Sequence, residues 1–256
     1  MAQYLFGAGI IFVTPSADAL GTAIATPSPI ELGVLQDGSV DFSFDIKSLY
    51  GQNSFPVKQA RGKGKISGKA KAARVSGALF NSFFFGQPMA SGSHSLVMRD
   101  ITGVVIPASP NTITVTPPNS GTFKANLAVT DAAGVNYTRV ASLPTAGQYS
   151  LDPATGIYTF ASADAGKNVM ISYRYDATIT GSKKLSLQND LMGTTPTFSL
   201  DLSIPYDGKS MSIVLASCVS GKMAIATKQD DFIIPEFDFE AGANEAGKVV
   251  DFYFSE

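Results

Sequence analysis

The chain has 256 residues, a formal net charge of −2 and 16% charged residues, below the share of about a quarter usual in globular domains. Such a balance excludes a binder of nucleic acid driven by net charge, while leaving room for a local patch. One cysteine excludes an intrachain disulfide framework, and one histidine makes Ser-His-Asp or multi-histidine metal chemistry a poor fit.

The N-terminal run from Tyr4 to Val13 is apolar, has no basic flank and is too short to span a bilayer. It predicts a strand rather than a signal peptide, and no stretch reaches transmembrane length. Pro15, Pro27 and Pro29 predict a loop or wrapped arm. Ile30 to Leu35 predicts a short strand, and Asp37-Gly38 a turn. Val40, Phe42, Phe44 and Ile46 then alternate with Asp41, Ser43, Asp45 and Lys47. This spacing predicts a strand with one apolar and one mainly acidic face. Leu49 to Ala60, interrupted by Gly51, Asn53 and Pro56, predicts an irregular loop.

Arg61, Lys63, Lys65, Lys69 and Lys71 occupy odd positions, with Gly62, Gly64, Ile66, Gly68, Ala70 and Ala72 between them. Alternation predicts a strand with a cationic face and a thin, close-packing face. If it pairs with the preceding strand, Asp41 and Asp45 face Lys63, Lys65 or Lys69, each pair contributing roughly 0.2–1 kcal/mol. From Val75 to Phe85 apolar residues recur every four positions, predicting a short buried helix stopped by Gly86. A core strand is the alternative.

Leu96 to Val105 reads as a strand. Residues 104–176 differ in texture, being rich in Thr, Val, Ala and turn residues. Strands are expected at Thr112 to Thr116, Phe123 to Thr130, Tyr137 to Ala141, Tyr149 to Leu151, Ile157 to Ala161 and Val169 to Tyr175. This spacing predicts a small antiparallel sandwich inserted into a domain formed by 1–103 and 177–256. In the last leg Phe198 to Ile204 alternates, Tyr206 to Lys209 marks a hairpin, and Met211 to Val219 returns. Met223 to Thr227, Phe232 to Phe239 and Val249 to Phe254 complete the strands. The fold class is mainly β.

No catalytic constellation emerges. Lys69 is followed by Ala70 rather than Ser or Thr, and Gly62 and Gly64 lack a third Gly, so neither phosphate-loop pattern fits. Five cations on one strand could attract phosphate, but no aromatic platform interleaves with them. Glu236, Asp238 and Glu240 share a strand face and read as a solvated acidic stripe rather than a calcium loop. Asp41/Asp45 or Glu236/Asp238 could serve glycoside hydrolysis, yet the chain has no tryptophan for a sugar cleft. His94 reads as a loop residue and Cys218 as a buried structural thiol, consistent with folding in a reducing cytoplasm. The expectation is a non-enzyme without metal or cofactor that assembles with copies of itself.

The run from Asp37 to Gly86, DGSVDFSFDIKSLYGQNSFPVKQARGKGKISGKAKAARVSGALFNSFFFG, resembles the N-terminal part of major tail tube proteins of long-tailed bacteriophages. Within the insert, Ala146 to Tyr149, Gly156 to Gly166 and Val169 to Tyr175 resemble a module of phage structural proteins. The resemblance implies a tail-tube-like β-sandwich or barrel with one short helix, interrupted by an Ig-like β-sandwich. It implies hexameric rings, assembled in the host cytoplasm and stacked into the virion's tail tube, through which DNA passes at ejection. Tape-measure and terminator proteins would be partners, and membranes would not. The inter-ring contact would fall on the loop Lys47 to Gly62, with Leu49, Tyr50, Gln52, Asn53, Phe55 and Lys58 as contact candidates. Arg61, Lys63, Lys65, Lys69 and Lys71 would form a charged assembly surface. A DNA conduit should avoid cationic walls, which makes Asp41, Asp45, Glu236, Asp238 and Glu240 the lumen candidates. The rival readings are a capsid decoration or host-surface binding protein with an Ig-like module, and a β-fold carbohydrate-active enzyme.

Overall fold

The computed structural model describes residues 4–74, 76–189 and 192–255. The protein is mainly β, with 54% of residues in strands and 5% in helix. It divides into two compact units, one formed by Met1–Met89 with Leu185–Glu256 and the other by Ala90–Lys184.

The first leg carries β1 (Ile10–Ala17), β2 (Ile30–Glu31), β3 (Leu35–Tyr50) and β4 (Pro56–Ala72). A helical turn α1 (Gly77–Phe80) runs on into a π-helical turn, Asn81–Phe85. The insert carries β5 (Ala90–Met98), β6 (Val104–Val105), β7 (Thr112–Thr114), β8 (Thr122–Asp131), β9 (Thr138–Arg139), β10 (Gln148–Asp152), β11 (Ile157–Phe160) and β12 (Asn168–Lys184). The last leg adds β13 (Thr197–Tyr206), β14 (Lys209–Ala224), β15 (Glu236–Gly242) and β16 (Val250–Phe254).

In the first unit one sheet runs β2-β1-β13-β14-β15-β4-β3, with β16 also paired to β14. Alternation builds its core: Ile11 and Val13 of β1, Phe198, Leu200 and Leu202 of β13, and Phe237 and Phe239 of β15 point inward and are buried. The helical turn covers them. Phe83 is fully buried, with its ring centroid 4.5 Å from that of Phe198 and 4.8 Å from that of Phe237. The thin face of β4 meets these rings. Ala70 and Ala72 are buried, and a Cβ on Gly68 would fall 2.4 Å from Phe239 Cζ.

The expected helix is present from Gly77 to Phe85, and Val75 lies outside the described residues. Gly86, at φ 59°, closes it with its N–H on the Asn81 carbonyl. Asp207 and Gly208 both take positive φ, 49° and 73°, which a two-residue hairpin turn requires. Asp37-Gly38 is not a turn: β3 runs through it with a register irregularity between Leu35 and Asp37. The expected loop from Leu49 to Ala60 is mostly ladder. Pairs Lys47↔Ala60, Ser48↔Gln59 and Leu49↔Lys58 continue the hairpin, and Pro56 sits at the first position of β4, a place where no ladder donor is needed. Only Gly51 to Phe55 turns.

The insert's two four-stranded sheets run β7-β11-β10-β9 and β5-β12-β6, with β8 also on β12. Tyr149, Tyr158 and Phe160 of one pack with Val169, Ile171, Tyr173 and Tyr175 of the other in a single cluster. All pairings are antiparallel except β9 with β10. The boundaries expected at 103/104 and 176/177 lie further out, because β5 pairs with β12 from Met98↔Tyr173 to Ala90↔Lys184 and belongs to the insert. For the same reason Leu96 to Val105 is not one strand: β5 ends at Met98 and β6 begins at Val104.

Candidate assembly surface

β15 inserts between β14 and β4 and sets acid against base by register. Glu236 faces Lys71, Asp238 faces Lys69 and Glu240 faces Ser67. The ammonium of Lys65 lies 2.5 Å from Glu240, that of Lys69 3.7 Å from Glu236, and that of Lys71 3.6 Å from Glu236 and 3.5 Å from Asp37. The lysine ends of these pairs are 41–58% exposed, so each pair is worth at most about 1 kcal/mol. Their effect is to fix register, since a one-residue slip would face like side chains with the wrong surface.

The carboxylates on Lys65, Lys69 and Lys71 are therefore not those of Asp41 and Asp45. β3 places Ser39 opposite Lys69, Asp41 opposite Ser67 and Ser43 opposite Lys65, while Asp45 pairs with Lys47 at 3.7 Å. Nor do the five cations share one environment. The ladder slips between Phe44 and Ile46, so that Arg61 comes opposite Ile46 and its guanidinium sits 4.2 Å from the Phe44 ring centroid. A slip of this kind resets the strict alternation that the sequence implies. Lys63 and Lys58 have no carboxylate within salt-bridge distance among the described residues.

Val40 of β3 packs against the core, but the rest of that strand's apolar side does not. Phe42, Phe44 and Ile46 are 40%, 47% and 59% exposed, because β15 pairs with β4 only from Ile66 to Lys71 and the hairpin runs on beyond it. β3 is also the edge of the sheet. Leu49, Tyr50 and Phe55 are exposed at the hairpin end, together with Gln52, Asn53 and Lys58. Val57 is equally exposed and escapes a reading that takes this stretch as loop. The proposed lumen group is likewise divided: Glu236, Asp238 and Glu240 engage lysines, and Asp41 carries no ion pair among the described residues.

Where β15 ends, an apolar cleft of about 580 Å³ opens, lined by Phe42, Phe44, Ile66, Val250 and Phe252. The Phe42 and Phe252 ring centroids are 5.2 Å apart across it. Gly64 forms part of its wall, and a Cβ there would fall 2.7 Å from the Phe44 ring. The contribution of β16 was signalled by alternation of Val250, Phe252 and Phe254 with Asp251 and Tyr253.

The titratable singletons are structural. Cys218 is buried in the core, and burial pushes its thiol up to about 12. His94 lies on β5 opposite Ala177 rather than in a loop, and both ring nitrogens are buried without a hydrogen-bond partner. Burial raises the Asp100 carboxyl, but hydrogen bonds from Gly103, Ile171 and Thr102 outweigh it and hold the group below the usual carboxylate range. Among the described residues no three His, Cys, Asp or Glu side chains cluster as metal ligands, and no helix is long and apolar enough to cross a membrane. No protein-family model matches the chain, and a search of curated proteins finds no match.

Proposed function

We propose that the chain is a structural virion protein whose copies assemble into stacked hexameric rings forming a phage tail tube, the conduit for DNA. The observation that carries this reading is the β3–β4 hairpin. Its edge strand of 16 residues has no strand partner along its outer side among the described residues and bears exposed Phe42, Phe44, Ile46, Leu49 and Tyr50. A long edge with exposed apolar side chains is a liability in a monomer and an asset in a closed ring, where a neighbouring strand covers it. The resemblance of Asp37 to Gly86 to tail tube proteins supplies the identity of the assembly. The insert is read as an Ig-like module, supported by two sheets sharing one aromatic core. The reading assigns the chain no catalysis.

Negative-stain microscopy of the purified chain, across concentration and salt, tests this. Rings or hollow tubes are the expected outcome. Monomers under every condition would overturn it.

A further inference from the structure

The cleft beside the hairpin is a gap in the sheet. β15 leaves β4 at Ile66, and from there toward Pro56 β4 pairs only with β3. β16 continues along β14 where β15 stops, pairing Val250–Phe254 with Leu215–Met211. The far edge of β16 has no strand partner among the described residues. Two open edges, β4 before Ile66 and β16, thus flank an apolar floor of Phe42, Phe44, Ile66, Val250 and Phe252. Such a site accepts an extended segment by strand addition: backbone bonds supply affinity and side-chain pockets supply choice.

The same unit carries a segment of matching chemistry. Residues 225–235 join β14 to β15 without belonging to a strand. They include Asp230, Asp231, Phe232 and Ile233, and Phe232 is 85% exposed. Asp231 pairs with Lys228 and accepts a hydrogen bond from the Phe232 N–H, and among the described residues Asp230 has no ion pair. Lys63 and Lys58 lie further along β4, beyond the cleft wall at Gly64, and neither has an ion pair among the described residues. A chain cannot fill its own cleft with Phe232. From Pro235 to the cleft at Ala241 β15 spans roughly 20 Å. Phe232, three residues before Pro235, reaches back only about 10 Å.

Building on the tube reading, we propose that the segment Asp230–Ile233 of one copy docks in the β4/β16 cleft of a second copy. Alternate side chains of an extended segment share a face, so Phe232 covers the apolar floor while Ile233 lies on the other side, and Asp230 and Asp231 bring two negative charges toward Lys63 and Lys58. Donor and acceptor sit at opposite ends of β15, so the contact is head-to-tail and propagates into a ring or a filament.

Two measurements test it on the full chain. In the first, Phe232→Cys and Phe252→Cys copies are mixed and oxidised. A disulfide-linked heterodimer is expected, and the buried Cys218 should not compete. In the second, Asp230→Lys with Asp231→Lys should raise the concentration needed for assembly by about tenfold or more. Adding Lys58→Glu and Lys63→Glu to the same chain should restore it. Wild-type tubes with no heterodimer, or reversed-charge chains that assemble like wild type, would overturn the docking and leave the tube reading standing. A heterodimer from a chain that forms neither rings nor tubes would keep the docking and overturn the tube reading.

Discussion

The root and the tip of the β3–β4 hairpin follow opposite rules within one pair of strands. At the root, residues 66–71 of β4 lie between β15 and β3, with Ala70 and the following Ala72 buried and Lys69 and Lys71 matched to Glu236 and Asp238. At the tip, residues 44–64 have one partner strand and exposed aromatics, and among the described residues Lys58, Arg61 and Lys63 have no carboxylate within salt-bridge distance, while Lys47 meets only its neighbour Asp45. The root is satisfied within the chain. The tip is built of the same residue types and leaves its aromatics exposed, where the root packs them.

The largest test of this contrast compares a phenylalanine covering the root with one at the tip. Phe83 packs on Phe198, Phe237 and Phe239, so Phe83→Ala should destabilise the monomer by about 3–5 kcal/mol through lost burial and a cavity. Phe55 is 83% exposed at the turn, and Phe55→Ala should change monomer stability by no more than about 0.5 kcal/mol. Urea denaturation measured below the assembly concentration reads both. Equal losses would mean that the tip is packed after all.

The two glycines of β4 sharpen the comparison at smaller scale. A methyl on Gly68 would meet Phe239 Cζ and the Ser39 carbonyl oxygen, both at 2.4 Å, inside the packed root. Gly68→Ala should therefore cost about 1–3 kcal/mol, as overpacking does. A methyl on Gly64 meets only the half-exposed Phe44 ring, which can swing aside, so Gly64→Ala should cost distinctly less. Thermal unfolding of the two variants gives the order. The reverse order would place the packed layer at the tip.

The root was legible in the sequence because alternation and burial coincide there. Gly68, Ala70 and Ala72 fall on the thin side and Lys69 and Lys71 on the charged side, as period two requires. The insert's strands from β7 onward were legible for a similar reason, since turn residues bracket each apolar run, whereas β5 and β6 were read as one strand. The tip was not. Pro56 and Gly51 mimic a loop, and the ladder slip at Phe44/Ile46 moves Arg61 without leaving a mark in the residue pattern. The acid partners of the lysines were also hidden. Nothing local says that Glu236, far along the chain, rather than Asp41, arrives beside Lys71; only the long-range strand order of the sheet decides it. The cleft escaped for that same reason, because it exists only where β15 stops short of the hairpin.

The smallest expected effect concerns the ion pairs that distinguish root from tip. Glu236 lies 3.6 Å from Lys71 and 3.7 Å from Lys69. Both lysines are near half exposed, so Glu236→Gln should lower stability by no more than about 1 kcal/mol. The loss should shrink further in high salt, where screening has already weakened the pairs. Glu236→Gln keeps the size and hydrogen-bonding shape of the side chain, so β15 keeps its place and the change reads charge alone. Comparing the variant with wild type by urea denaturation at low and high salt separates the two contributions. A loss well above this limit, unaffected by salt, would show that Glu236 holds the root by packing or hydrogen bonding rather than by charge. The lysines of the root would then be as free as Lys63, and the division between the hairpin's two ends would rest on the aromatic core alone.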